Sequence, residues 1–359
     1  MSPRSFVLLV LATGASVALA VSAVVQQERP QRSVAAGEAL FPGLLDRLND
    51  VHEIAMVGPE GTLTVRAQDG GWRLAEKSGY PVPPERVRAL ALGVAGLELV
   101  EAKTADPARL PRLELEEPAG EGAKSRRIEL RGGDGEPIAA AVVGKASPSL
   151  YGGGRGGVYV RRAGEDQAWL AAGELELPSD AMDLLDPEVL DLPLAEVAQV
   201  TLVRAGEPVL ALTRGDESAD FAADATLPEG RKLDPVKIEA LAGALAGLRM
   251  SDLRPADTVP AAADAPRVRF ESFDGLVVTA TLSQQGEGED QESWLVLAAE
   301  VAAAPVEPPN EDAGGPNAQE RAAAITAATA GWAFQIPGYL AERFDDRLED
   351  LLAEPTPGS

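Results

Sequence analysis

The pattern of apolar and polar positions predicts a group of short strands followed by one longer helix. The segments Val51–Val57, Thr62–Arg66 and Trp72–Ala75 alternate or are rich in β-branched residues, and glycine-containing turns separate them. A helix is predicted to begin at Pro84, because proline is favoured in the first turn of a helix. Its apolar face is formed by residues at helical spacing, namely Val87, Leu90, Val94 and Leu97. The pattern therefore predicts a sheet with a helix packed on it.

The same series of elements occurs a second time along the chain. Strand patterns return after the helix at Arg127–Arg131, Pro137–Val143, Val158–Arg161 and Ala168–Ala171. Val197–Val203 then resembles Val51–Val57, and Pro235 matches Pro84 at an offset of 151 residues. At that offset the apolar face recurs in the same helical phase, as Ile238, Leu241, Leu245 and Leu248. Self-similarity over so long a period predicts a duplicated architecture.

We therefore predict an α+β fold with two tandem copies of a β-sheet unit, each with one main packing helix, after an N-terminal transmembrane helix. The predicted organisation is a tether at 26–39, a first copy at 40–186, a second copy at 187–352 and a tail at 353–359. The second copy carries an acidic, Ala- and Pro-rich insert at 302–319, which is predicted to loop out. An amphipathic helix over Pro337–Leu352 is predicted to close the second copy.

The first residues predict export of the body. Phe6 to Val25 contains no charged residue, and its length is sufficient to span a bilayer as a helix. Arg4 precedes this segment, which favours an N-terminus inside the cell. The predicted location is therefore the cell inner membrane, single-pass, with the body in the periplasm. The alternative is a cleaved signal peptide with its cleavage site at Ala18–Ala20; the apolar residues that continue to Val25 favour an anchor.

The amino-acid composition excludes several kinds of partner and binding site. The net charge of −25 argues against nucleic acid as a partner, because phosphate binding needs clustered lysine and arginine. The chain has no cysteine and one histidine, which excludes disulfides, thiolate zinc sites and multi-histidine metal sites. His52 alternates with the neighbouring strand residues and is predicted to share a face with Ile54 and Met56, in a structural role.

The remaining conspicuous motifs have structural explanations. The glycine-rich stretch Ser149–Gly157 lacks the lysine and the following helix of a phosphate loop, so a hairpin loop is predicted. The carboxylates of Asp345–Asp346 and Glu349–Asp350 alternate with arginines and are predicted to form a solvated helix face. Four tryptophans lie in strand-like segments and are predicted to anchor cores: Trp72, Trp169, Trp294 and Trp332. We expect no catalytic, cofactor-binding or metal-ligating residues, and no cofactor.

Several of these segments resemble the family known as domain of unknown function 4340. The resemblance extends over roughly residues 40–352 and is carried by Gly71–Val82, Val87–Leu97, Glu101–Asp106, Gly157–Arg161, Ala168–Leu170 and Gly331–Pro337. It implies an N-terminal membrane segment, an exported repeat body and an accessory role beside ABC transporter components of the gliding-motility type. The acidic insert after Ala302 departs from the family pattern.

The leading functional expectation is a non-enzymatic, membrane-tethered, extracytoplasmic accessory or scaffold protein. Its expected partners are the membrane, through Phe6 to Val25, and ABC transporter components. Two alternatives stay open. One is a hydrolase of envelope glycan, which needs a cleft with two partly buried carboxylates. The other is a periplasmic ligand-binding module, which needs a concave apolar pocket.

Overall fold

A computed structural model describes residues 37–147, 156–229, 231–303 and 315–354. The chain divides into two compact units, the first made of residues up to 62 and 89–177, the second of residues 63–88 and from 178 onwards. The predicted membrane segment Phe6 to Val25 and most of the Ser149–Gly157 loop lie outside the described residues.

The described residues up to 172 form ten strands and one α-helix. The strands are β1 Glu38–Ala39, β2 Val51–Gly58, β3 Gly61–Gln68, β4 Gly71–Leu74, β5 Tyr80–Val82, β6 Glu98–Ala102, β7 Arg126–Gly132, β8 Pro137–Ser147, β9 Gly157–Arg162 and β10 Ala168–Ala172. Helix α1 is Pro84–Ala95, and 3-10 turns lie at Leu45–Asp50, Ala75–Lys77 and Pro107–Leu113.

Within the described part of the chain after residue 172 there are ten further strands and three α-helices. The strands are β11 Glu188–Leu190, β12 Val197–Arg204, β13 Glu207–Thr213, β14 Ala222–Ala223, β15 Leu248–Arg249, β16 Asp252–Pro255, β17 Arg267–Ser272, β18 Leu276–Gln285, β19 Glu292–Val301 and β20 Trp332–Ile336. The helices are α2 Pro235–Ala242, α3 Ala318–Thr329 and α4 Gly338–Asp345. Short 3-10 turns lie at Met182–Leu184, Leu194–Glu196, Ala256–Thr258 and Gly288–Asp290.

One strand order occurs in both units. In the first unit the strands run β6-β10-β9-β8-β7-β2, with β1 beside β6. In the second unit they run β16-β20-β19-β18-β17-β12, followed by β13 and β14. Neighbouring strands within each run are antiparallel. The sequence match at an offset of 151 residues therefore has a counterpart in strand order.

Each unit has its own buried apolar core. In the first unit the core includes Ile54, Val94, Leu97, Ile128, Leu130 and Val160. In the second unit it includes Trp294, Phe270, Phe334, Phe344, Leu241 and Leu253. The rings of Phe270 and Phe344 meet edge to face with centroids 6.2 Å apart, which fixes α4 against the sheet. Each predicted apolar helix face is buried at all four of its positions.

The predicted fold class is wrong. Strands hold 40% of the described residues against 23% in helices, so the chain is mainly β and built on large antiparallel sheets. In the part of the chain that the structure describes, no helix is long and apolar enough to cross a membrane, and the predicted transmembrane helix has no support there.

The helices are also shorter than predicted. Helix α2 ends at Ala242, where Gly243 follows and weakens helix continuation. Helix α4 ends at Asp345, and the predicted helix does not continue to Leu352. Asp346 leaves the helical conformation, with ψ of 141°, and aspartate has a low helix propensity.

His52 is exposed, contrary to the predicted face shared with Ile54 and Met56. The pairing of β2 with β7 shifts between Val51 and Glu53, so a bulge interrupts the alternation at this residue. The His52 Nδ1 lies 2.9 Å from the carbonyl oxygen of Asp50. The histidine is therefore a surface residue beside a turn.

Candidate ligand groove in the second unit

A groove of about 730 Å³ lies in the second unit beside the end of α4. One side is formed by the turn from β12 into β13, and another by the segment 262–266 with the end of β18. The residues 345–348, which follow α4, complete it. Val209, Leu210, Leu282 and Leu348 supply apolar surface, and Asp264, Asp345, Asp346, Arg204 and Arg347 supply charge. This size and mixed lining are those of a small-ligand or peptide site.

Arg204 holds the end of α4 in place. Its guanidinium donates to the carbonyl oxygens of Phe344, at 3.4 Å, and Asp346, at 2.9 Å. The Asp345 carboxylate lies 3.7 Å away. Burial lowers the pKa of the Arg204 guanidinium, against the opposite effect of Asp345. The arginine satisfies helix-end carbonyls and so orients the turn that carries Asp346.

Asp346 is a half-buried carboxylate, unlike its exposed neighbour Asp345. Burial raises the pKa of Asp346 to about 6, and the negative charge of Asp350 adds to this, while Lys237 and Arg343 oppose it. Lys237 donates to the carbonyl oxygens of Asp350 and Leu352, and Arg343 donates to that of Ala240. The nearby cations are thus bonded to backbone oxygens, and the Asp346 carboxylate receives no recorded hydrogen bond from the described residues. A perturbed carboxylate in a groove indicates a candidate functional residue.

The rim of the groove includes an open stretch of strand edge. Strand β13 pairs with β14 only at Leu212 and Thr213, and Asp224 binds the main chain of Ala211. On the opposite side the pairing with β12 shifts, and Val209 has no partner in the described ladder. Val209 is 53% exposed although it is apolar. The unpaired edge of a strand is a place where another chain can add hydrogen bonds.

The structure changes the sequence-based interpretation of the acidic pairs. Asp345, Glu349 and Asp350 are exposed as predicted, but Asp346 is not on a solvated helix face, because α4 has ended before it. Sequence reasoning missed Asp346 for this reason. The signal in the sequence was the pair of adjacent aspartates, because aspartate has a low helix propensity.

Other predicted features have mixed outcomes. Trp294 and Trp169 are buried as expected for core anchors, whereas Trp72 and Trp332 are half-buried. Arg161 in the first unit is buried and donates to the carbonyl oxygens of Leu115 and Glu165, which is a structural role. Among the described residues no group of three or more acidic, histidine or cysteine side chains is placed to hold a metal ion.

The groove gives no support to a two-carboxylate hydrolase. Asp264 and Asp345 are exposed, so Asp346 is the partly buried acid among the carboxylates that line this groove. A glycoside hydrolase needs one acid held protonated beside a second carboxylate across the sugar.

The fold is that of a mainly antiparallel β-sheet protein whose two units share a strand order, and the second unit carries a mixed apolar and acidic groove. Residues 72–266 match the model of a family described as a domain of unknown function, DUF4340, and the chain belongs to this family. The matched range includes the groove segments around Arg204–Leu210 and 262–266, but not Asp346. No curated protein matches the chain.

Proposed function

We propose that this protein is a non-enzymatic, extracytoplasmic scaffold protein that acts at the membrane by binding a partner protein. The observation that supports this proposal best is the groove beside α4. An apolar wall, an open strand edge and a carboxylate that accepts no hydrogen bond from the described residues lie together there. Each of these features is of a kind that another polypeptide can complete.

The partner class is proposed from the sequence. Resemblance to DUF4340 implies an association with ABC-type transporter components of an export or gliding-motility-like system. The net charge of −25 is suited to a basic partner surface, since opposite potentials accelerate encounter and disfavour acidic competitors.

Affinity purification of the tagged full chain from detergent-solubilised membranes tests the proposal. We expect transporter components to be enriched over a control purification with an unrelated, equally acidic exported protein. Consistent absence of any transporter component would remove the ABC association. Fractionation after an alkaline carbonate wash tests the predicted membrane location in the same cells.

A second candidate function is a ligand-binding module, which the volume of the groove favours. About 730 Å³ is within the range of pockets that enclose drug-sized molecules. Thermal-shift screening of the full chain against small amines and peptides would separate the two candidates. Stabilisation by a free small molecule, with no protein captured from membranes, would favour the ligand-binding module.

A further inference from the structure

We propose that the groove beside α4 binds an extended peptide segment of a partner protein, which places a lysine or arginine against Asp346 and an apolar side chain against Val209. This inference rests on the proposed scaffold function and names the chemistry of the segment that is bound. Three observations carry it, one for the charge, one for the apolar contact and one for the extended conformation.

The positive charge of the proposed ligand is inferred from the hydrogen bonds of the cationic side chains near Asp346. Lys237 points to the carbonyl oxygens of Asp350 and Leu352, at 2.7 and 3.4 Å, and Arg343 lies 3.3 Å from that of Ala240. Arg204 is likewise bonded to backbone carbonyls. These interactions neutralise carbonyl dipoles at the chain turn and supply no donor to the Asp346 carboxylate. None of the described residues donates a hydrogen bond to this carboxylate, and a cationic side chain of a ligand is suited to do so.

The groups that face Asp346 come from α2, α4 and the segment after α4. They are Lys237, Arg343, Asp345 and Asp350, of which the two acids raise the pKa of Asp346 and the two bases lower it. Arg347 is exposed and also lines the groove. Desolvation is the largest cause of the raised pKa, so a bound cation that offsets it stabilises the ionised carboxylate.

The apolar contact and the extended conformation of the proposed ligand are inferred from the edge of strand β13. Val209 is exposed at a bulge on the rim, and Leu282 on the opposite side is buried. The main chain of Val209 lies two residues before Ala211, whose outward groups already bind Asp224. An added segment that continues this edge would pair with Val209 in the same way that Asp224 pairs with Ala211. A peptide in this register has side chains that alternate between the groove and solvent.

The probe for the test is a blocked five-residue peptide in which valine and lysine stand two residues apart and serine fills the other positions, so that both side chains face the groove. It is compared with peptides in which glutamine or glutamate replaces lysine. Binding to the full chain is measured by calorimetry at pH 7.5 and low salt. We expect the lysine peptide to bind more tightly than the glutamine peptide, and the glutamate peptide not to bind. Asp346→Asn should weaken the lysine peptide about tenfold, since a charge-assisted contact is lost.

Two matched controls separate the groove from general electrostatics and from misfolding. Glu188→Gln removes one charge from an exposed residue outside the groove and should leave binding unchanged. Val209→Pro removes the main-chain N–H of residue 209, while Val209→Ala keeps it, so the proline variant should bind the peptide more weakly than the alanine variant. Circular dichroism and thermal unfolding establish that each variant is folded.

Several results would overturn the proposal. Equal loss of affinity in Asp346→Asn and Glu188→Gln would show nonspecific attraction to an acidic protein. Equal affinity for a single blocked lysine and for the peptide would show an amine site without an extended segment. If Asp346→Asn captures the same membrane proteins with unchanged affinity, the groove is not the docking site, while the scaffold function stands. If the peptide binds but no partner protein is captured from membranes, the groove is still a peptide-binding site, and the proposed scaffold function is wrong.

Discussion

At the residue scale, Asp345 and Asp346 show that two adjacent aspartates can differ in solvent exposure. Asp345 is the last residue of α4 and is exposed beside Arg204, whereas Asp346 follows in extended backbone and is half-buried. The pKa of the Asp346 carboxyl is raised to about 6, because desolvation disfavours its charged form. A charge kept at this position at neutral pH is an energetic cost, which is common at functional sites.

The first prediction is that Asp346→Asn stabilises the protein at neutral pH. The folded-state pKa of about 6 exceeds the ordinary value of 3.8, so the folded state holds more protons between about pH 4 and 6. Stability contributed by the protonated carboxyl is present at low pH and is lost as the pH rises through 6. Because the group is partly exposed, we expect the variant to gain only about 1 kcal/mol at pH 7.

Urea unfolding of wild type and variant from pH 4.5 to 8 measures this difference. The difference in the free energy of unfolding between Asp346→Asn and wild type should grow with pH and level off above the pKa of Asp346. Glu188→Gln should have the same pH dependence as the wild type. Carboxyl-carbon NMR gives the pKa directly. A titration of Asp346 near pH 4 would contradict the prediction.

The sequence predicted the burial of helix faces better than the groove. Val87, Leu90, Val94 and Leu97 are buried because a period of 3.6 residues is visible locally. Asp346 is half-buried near residues that are distant in sequence, such as Arg204 at the end of β12, which donates to its carbonyl oxygen, and Lys237 of α2. Gly144 is similar, since a Cβ there would lie 2.2 Å from the carbonyl oxygen of Leu113, an approach that no local pattern reveals.

At the scale of elements, helix α3 was missed entirely. Ala318–Thr329 is mostly alanine and small residues, and it has no strong apolar stripe that periodicity would reveal. Its first residues also belong to the segment 302–319 that was predicted to loop out. The capping box between Asn317 and Glu320 was the available signal. The guanidinium of Arg321 in this helix forms ion pairs with the carboxylates of Glu196, at 2.5 Å, and Asp274, at 3.4 Å.

The second prediction is that Asn317→Ala loosens α3. The Asn317 side chain accepts a hydrogen bond from the Glu320 N–H at 3.0 Å, and the Glu320 carboxylate accepts one from the Asn317 N–H at 3.0 Å. Loss of the cap should cost about 1 kcal/mol, which corresponds to roughly fivefold faster amide exchange in the helix.

Hydrogen-exchange mass spectrometry of peptides from α3 measures this change without assuming two-state unfolding. Gln319→Ala is the matched control, because Gln319 is an exposed neighbour whose side chain is outside the capping box. Equal exchange in the two variants would show that packing, and not the cap, determines the stability of α3.

At the scale of the whole molecule, composition and repetition were the informative signals. The strand order that the two units share agrees with the match between Pro84 and Pro235. The predicted α+β class was wrong because it assumed a larger helix content than the structure has. Helical faces stand out in a sequence, whereas short strands such as β14 and β15 leave almost no pattern. The partner is not encoded in any local motif, so it remained an inference from resemblance and charge.

The third prediction concerns the net charge of −25. Self-repulsion of an acidic chain destabilises its compact state, and salt screens this repulsion over distances beyond about 10 Å at 0.1 M. Surface ion pairs act in the opposite direction, but each contributes only about 0–1 kcal/mol. We therefore expect the melting temperature to rise by a few degrees between 10 mM and 0.5 M sodium chloride. Sorbitol at matched osmolality is the control, and a fall in melting temperature with salt would show that ion pairs dominate.

The unequal connections in the two copies have a practical consequence for protein engineering. In the first unit the chain passes from β9 to β10 through residues 163–167, whereas in the second it passes from β19 to β20 through residues 302–331, which include α3. The strand order is the same in both. This connection therefore accepts chains of very different length without rewiring the sheet. The turn at Gly164 is accordingly a suitable place to insert an epitope tag or fluorescent reporter for tracking the protein in living cells.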